Sequence, residues 1–439
     1  MSRHRHISKE LILAARRGQI SHEHLVERLL ARLAELCPIC REEALATAEE
    51  EIPETAYAEP VAHALDVEEE LARFERDSET APELLRILQG LSPQQRLLRI
   101  RNAPERFANL ALGEFLLDEA RACLPDDPHG SLAWARVAQA VADIYSIPHP
   151  PHQVLAVAYQ GNAYRATGDF DRAQRFLYLA RDLSVQTMTS DIDVGAQLHS
   201  FLGSLFSDLS RFDEAEEQLR SAAGLYELLA DDLGRARVLI KLGAVLALRG
   251  DLPAALQADN TAVALLSPHD DEQRECYLGA RLNYAIHALD AGDPVKARDL
   301  IDLELFEFEQ CGPYLRVRFD GLQARIAAAF GNLEEAEAGY RAVLKELDRQ
   351  QKGFLAAHYC LELGALYLEQ GRYHDLQTIA ARAVQLFQAH ETHREALAAL
   401  VLFRKAAEAR HLTAEALQRI RRFLETAQRD PGARFQLQN

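Results

Sequence analysis

Along most of the chain, apolar residues return three or four positions apart, the spacing that puts them on one face of a helix. Short polar turns interrupt the pattern at regular intervals: GDFDRA at 168, SRFDEA at 210, GDLPAA at 250, GDPVKA at 292, GNLEEA at 331 and GRYHDL at 371. Successive turns lie 42, 40, 42, 39 and 40 residues apart. The flanks keep register with them. Seven residues before each turn stand Gly161, Gly203, Gly243, Ala285, Ala324 and Gly364; five after it stand Ala173, Ala215, Ala255, Ala297, Ala336 and Leu376. Glycine tolerates the positive φ at which a helix stops, and small residues on both sides of the turn let two helices approach closely. The pattern predicts a helix, a tight turn and a second helix, repeated, each pair burying part of its apolar surface only by stacking on its neighbours.

The small–turn–Ala positions resemble the tetratricopeptide repeat. The period near 40 instead of 34 implies helices about one turn longer, and the resemblance covers roughly residues 95 to 425. It implies an all-α fold, a right-handed solenoid of antiparallel helix pairs whose first helices line the concave face. Residues 105–146 read as a degenerate pair interrupted by PDDPHG, SIPHPPHQ as a kink before the regular repeats, and residues 393–430 as a closing pair.

Composition agrees with a helical array. Ala, Leu, Glu and Arg dominate, all good helix formers, and hydrophobic residues make up 48% of the 439. The six cysteines are Cys37, Cys40, Cys123, Cys276, Cys311 and Cys360, and only the first two are close in sequence. That usage points to a reducing, cytoplasmic setting rather than a disulfide framework. No apolar run approaches the roughly 18 residues of a membrane span. The net charge is −18 and unevenly placed: residues 42–83 carry 15 acidic residues and two arginines, while residues 1–41 carry eight Lys or Arg against four Glu. An acidic body argues against nucleic-acid binding by the array, because phosphate contacts need a basic face.

At the head, residues 7–16 and 22–36 read as helices separated by RGQIS, with Ser21 as an N-cap, and the second runs into Cys37-Pro38-Ile39-Cys40. An early His6, a helix–turn–helix and a closing Cys-x-x-Cys resemble the zinc-type anti-sigma domain of the His/Cys class. That resemblance implies zinc as cofactor, with Cys37, Cys40 and His6 as ligands and a sigma factor as partner. Arg32 and Leu33 stand where the family places its second His, and His22 and His24 lie 13 or more residues before Cys37, about 20 Å along a continuous helix. Three readings of the pair stand: a bound zinc, a metal-free copy of the domain, and a redox dithiol. The last is opposed by its place at a helix C-terminus, where the dipole disfavours a thiolate. A DNA-binding helix–turn–helix is a further reading of the head, but His22, Glu23, Glu27 and Arg28 form a poor base-reading set.

The array carries no phosphate-binding Gly loop, dinucleotide fingerprint, nucleophile elbow or His-Glu-x-x-His. HPPH (149–152) reads as a kinked loop, and SPHDDEQREC (267–276) as a solvated loop with capping carboxylates. Arg281, Arg316, Arg318 and Arg325 fall near the starts of first helices and are candidates for clamping a partner's carboxylates, set against scattered surface charge.

These observations divide the chain into a helical head (1–45), an acidic linker with some helix (46–90), the repeat array (91–430) and a tail (431–439). The expected function is non-catalytic: a protein-interaction scaffold or adaptor taking a protein or peptide on its concave face, with no membrane and no nucleic acid as partner. The alternative is an anti-sigma-like regulator whose head binds a sigma factor while the repeats sense a ligand. The whole layout resembles a bacterial family with a His/Cys zinc-type head followed by such repeats, and the ending TAEALQRIRRFLETAQRDPGARF is similar to that family's.

Overall fold

The computed structural model describes residues 76–124, 127–145, 149–187, 191–302, 311–390, 394–429 and 435. The head, its Cys37, Cys40 and His6, and most of the acidic linker and tail lie outside them. Every regular element among the described residues is a helix. In chain order they are α1 (76–89), α2 (Pro93–Asn102), α3 (Pro104–Phe107), α4 (Leu110–Cys123), α5 (Pro128–Ala142), α6 (Pro150–Ala166), α7 (Phe170–Gln186), α8 (Ile192–Asp208), α9 (Phe212–Leu228) and α10 (Asp232–Arg249). They continue as α11 (Leu252–Ala264), α12 (Arg274–Asp290), α13 (Pro294–Asp302), α14 (Pro313–Ala329), α15 (Leu333–Arg349), α16 (Gly353–Glu369), α17 (Tyr373–His390), α18 (Arg394–Glu408) and α19 (Ala414–Arg429). Most helices of the regular pairs are 17 residues long, which accounts for the long repeat period.

The backbone divides into two compact units, one running to Leu205 and including Glu217–Val238, the other made of Phe206–Glu216 and everything from Leu239. In the first unit α4, α5, α6 and α7 pack in succession, and α6 touches α4 as well. α6 is therefore buried on nearly all sides: Val154, Val157, Ala158 and Ala163 are sealed, and so are the polar Gln160 and Asn162. Gln160 donates to Gln139 at 2.7 Å and Asn162 accepts from Arg165 at 2.8 Å, so these amides are satisfied. Helix α1 contributes Ala81, Leu84 and Leu88 to the packed interior, inside the stretch read from sequence as linker.

In the second unit α11 to α19 stack one on the next, with α12 against α14 and α16 against α19 as additional contacts. Its largest continuous core runs through α14–α19, from Val317 to Ala427, and includes Tyr359, Tyr367, Phe387 and Phe403.

The turns are built alike. The first residue of each predicted turn has positive φ: Gly168 (78°), Ser210 (57°), Gly250 (91°), Gly292 (84°), Gly331 (79°) and Gly371 (68°). The next amide donates five residues back, as Asp169 to Tyr164 (3.0 Å), Asp251 to Leu246 (2.9 Å) and Arg372 to Tyr367 (2.9 Å). This is the Schellman closure, which satisfies carbonyls the helix end would leave orphaned. After Gly168, Gly250 and Gly292 the Asp caps the second helix, accepting from Arg172, Ala254 and Lys296 amides at 3.1, 3.1 and 2.9 Å. Glycine stops one helix and aspartate starts the next.

A seventh turn lies 39 residues after Gly371, at Arg410 (φ 55°), where His411 donates to the Ala406 carbonyl at 2.9 Å. The closing pair is thus a seventh copy in register. Phe403, fully buried, takes the small-residue place, and its ring lies on Gly364: a Cβ there would be 3.0 Å from its tip. Helix α19 buries Leu417, Ile420, Leu424 and Ala427 along one face and packs on α16 as well as α18.

Ser210 is the one non-glycine among the six turns, and a side chain in the left-handed region costs about 1 kcal/mol or more. Ser210→Gly is expected to raise stability in urea unfolding by about 0.5–1 kcal/mol, and Gly250→Ala to lower it by about 1 kcal/mol or more.

Candidate functional site

At four joints, α4–α6, α6–α8, α12–α14 and α14–α16, the first helix of one pair meets the first helix of the next through a file of polar side chains. In the first unit, Arg121 of α4 donates from Nε to the Tyr159 hydroxyl of α6 at 2.7 Å. That hydroxyl donates to Gln197 Oε1 on α8 at 2.8 Å, and Gln197 Nε2 donates to Asp193 at 2.8 Å. The Tyr159 ring packs edge-on against Phe201, 5.1 Å between centroids. Burial pushes the Tyr159 phenol above its ordinary value. Burial also works against the Arg121 charge, but Tyr159 and then Asp118 hold it above the usual arginine range.

In the second unit the file runs over α12, α14, α16 and α19. Arg318 donates to Asn283 Oδ1 at 2.7 Å. Seven residues on along both helices, Arg325 reaches Asp290 at 2.5 Å. Its Nε is 3.7 Å from Glu362 Oε1 of α16, and the same oxygen lies 3.5 Å from His358 Nε2 and 2.7 Å from Arg421 Nη1 of α19, as ion pairs. Charge alternates from helix to helix: Asp290, Arg325, Glu362, Arg421. Burial alone would raise the Glu362 carboxyl, but Arg421, Arg325 and His358 bring it below the usual carboxylate range. Arg325 is likewise opposed by burial and held up by Glu362 and Asp290.

Both units use the same register. Tyr159, Asn283 and Glu362 each stand two residues before the small residue of their repeat, and Gln197, Arg318 and His358 stand six before. Tyr159–Gln197 and Asn283–Arg318 are the same contact made at two different joints.

Of the four arginines singled out from sequence, two belong to this file. Arg318 and Arg325 are seven residues apart and share a face of α14. Arg316 is two residues from Arg318, on the opposite side, and pairs with Asp320 of its own helix at 3.0 Å. Arg281 turns toward α13, donating to the Leu300 carbonyl at 2.5 Å, and lines a shallow depression with Asp293, Val295, Lys296 and Asp299. The structure therefore does not gather the four into one clamp. Sequence reasoning passed over Gln197, Asn283, His358, Glu362 and Arg421. Aligning the repeats on their small residue exposes the first four, together with Tyr159, as polar side chains at two fixed offsets; Arg421 needed the fold.

A separate cluster joins second helices α15 and α17 to α16. Glu337 accepts from Arg372 (2.5 Å), Tyr367 (2.8 Å) and Arg341 (2.9 Å) and is held at about 2, chiefly by Arg372. Arg372 also stacks on the Tyr367 ring, 4.5 Å from its centroid.

Cys123, Cys276, Cys311 and Cys360 are free thiols, and burial pushes Cys360 up to about 12, so it is an inert core residue. Among the described residues no group of three or more His, Cys, Asp or Glu side chains is arranged to hold a metal, and no helix is long and apolar enough to cross a membrane.

A sequence profile of the tetratricopeptide repeat family matches residues 196–267. No curated protein matches the chain significantly. Among solved structures, a Rap protein complexed with Competence and Sporulation Factor superposes with a TM-score of 0.56 at 12% identity, covering 72% of this chain and 91% of its own. Aspartyl phosphate phosphatase F from Bacillus subtilis does so with a TM-score of 0.50 at 12% identity, covering 87% of this chain and 92% of its own. At these identities the likeness is one of fold: a tetratricopeptide-like array of helix pairs.

Glu362 and Glu337 both have lowered folded values, so their stabilisation is complete above about pH 4.3, the unfolded glutamate value. It is lost as pH falls through the folded values. The thermal stability of the second unit is expected to fall from pH 5 toward pH 2. Glu362→Gln, which strands Arg325 and Arg421, is expected to cost about 3 kcal/mol at pH 7 and to flatten part of that acid dependence.

Proposed function

We propose that the chain is a non-catalytic protein-interaction scaffold that holds an extended protein or peptide segment along its first helices. The observation that carries this reading is the polar file itself. Repeat cores need only apolar and small residues, yet in both units polar side chains face each other at the same two offsets across a first-helix joint, Tyr159 with Gln197 and Asn283 with Arg318. Asn283 and Arg318 together offer an amide donor and a guanidinium to a partner's carbonyl and carboxylate. The fold likeness to a Rap protein complexed with Competence and Sporulation Factor supports the idea that such an array can hold a partner.

A second reading rests on the head. Its Cys37-x-x-Cys40 with His6 and its excess of basic residues favour an anti-sigma-like domain that binds a sigma factor, with the array as its control. The two readings separate in one experiment. Affinity capture from native cytosol is run with the full chain, with the chain lacking residues 1–45, and with Arg318→Glu. On the scaffold reading the partner is retained without residues 1–45 and at least tenfold depleted by Arg318→Glu. Loss of capture on removing the head, with Arg318→Glu unaffected, sinks the scaffold reading and supports the second.

A further inference from the structure

Two positions of the repeat are apolar and buried everywhere except at one joint. Nine residues after the turn's first residue stand Leu177, Leu219, Asp259, Ile301, Tyr340 and Ala380; Asp259 is 0% exposed. Five residues before the turn stand Ala163, Leu205, Val245, His287, Ile326 and Leu366; His287 is 7% exposed. The two exceptions meet. His287 Nδ1 of α12 lies 2.6 Å from Asp259 Oδ2 of α11. The other carboxylate oxygen, Asp259 Oδ1, is buried with no hydrogen-bond partner. Gly243 of α10 is drawn against it: a Cβ there would come within 2.4 Å of that oxygen.

A buried ion pair in place of two aliphatic side chains gains little stability over them, and breaking it by removing one charge costs much. The pair holds one proton between its two members in its neutral-overall state. Acid adds a second proton and leaves a buried imidazolium facing a neutral acid. Base removes the shared proton and leaves a buried carboxylate facing a neutral imidazole, its charge uncompensated. Burial already pushes the Asp259 carboxyl upward, against the pull of His287.

The surrounding charges do not take over this role. Asp290 on α12 is held by Arg325 of α14, Arg318 of α14 by Asn283, and Lys296 of α13 stands over the Tyr284 ring at 4.6 Å. Among the described residues, His287 is the one hydrogen-bond or ion-pair partner of the Asp259 carboxylate. In a stacked array each joint carries its own stability, so a weakened joint opens locally without unfolding the rest.

We propose that Asp259 and His287 make the α11–α12 joint a pH-responsive hinge, closed while the pair shares one proton and opening on either side of that window.

The test is hydrogen exchange on the full-length protein at pH 5, 7 and 9, corrected for chemical exchange rates, reading α11 and α12 against α6 as internal reference. Wild type is expected to lose at least tenfold protection in α12 at both pH 5 and pH 9 relative to pH 7. Asp259→Leu with His287→Val restores residues the same register carries elsewhere, and is expected to abolish that dependence while keeping the joint protected. Asp259→Asn, which keeps the shape without the charge, should lose the alkaline opening. If wild type shows the same protection in α12 at all three pH values, or the same profile as Asp259→Asn, the hinge does not exist.

Discussion

A helix that is apolar on more than one side cannot be satisfied by one neighbour. That constraint governs the molecule. α6 is buried on almost every face and must have partners before and after it, so the chain has to keep adding helix pairs. Each pair is closed by the same connection, the left-handed turn residue with its five-back amide bond, at Gly168, Ser210, Gly250, Gly292, Gly331 and Gly371. The small residue seven positions earlier sets how closely the helices meet: a Cβ on Gly161 would lie 2.7 Å from Leu177. Turn and small residue together fix the register, and every polar feature described above is placed by it.

Once register is constant, a polar side chain at one offset meets a second fixed offset of the next pair, about one helical turn earlier. This is why Tyr159–Gln197 and Asn283–Arg318 repeat each other across different sequence, and why Asp290, Arg325, Glu362 and Arg421 can alternate in sign along four helices. Such a file costs desolvation and returns it only where partners are complete. Glu362, facing two arginines and a histidine, is the most heavily compensated carboxylate in the file. Its closing partner comes from α19, the helix that ends the described array.

The turns and the helix lengths were legible in the sequence because glycine and its flanking small residues have a local physical reason to stand where they do. The seventh turn was harder to read: Arg410 replaces glycine and Phe403 replaces the small residue, so the copy kept its geometry while losing both markers. The arginines were only half legible. Proximity to a helix start suggested four of them, but Arg316 and Arg318 are about 200° apart around α14, and only the three-dimensional face separates a file member from a residue paired within its own helix. Asp259 and His287 were visible as letters and invisible as a pair, because the contact joins two different repeats.

On the scaffold reading proposed above, the first helices hold the partner. The most direct measurement is hydrogen-exchange footprinting of the full-length protein with and without its captured partner. New protection is expected in α6, α8, α12, α14 and α16, recurring at the repeat spacing and sparing α7, α15 and α17. Protection confined to second helices, or to residues 1–45, would contradict it.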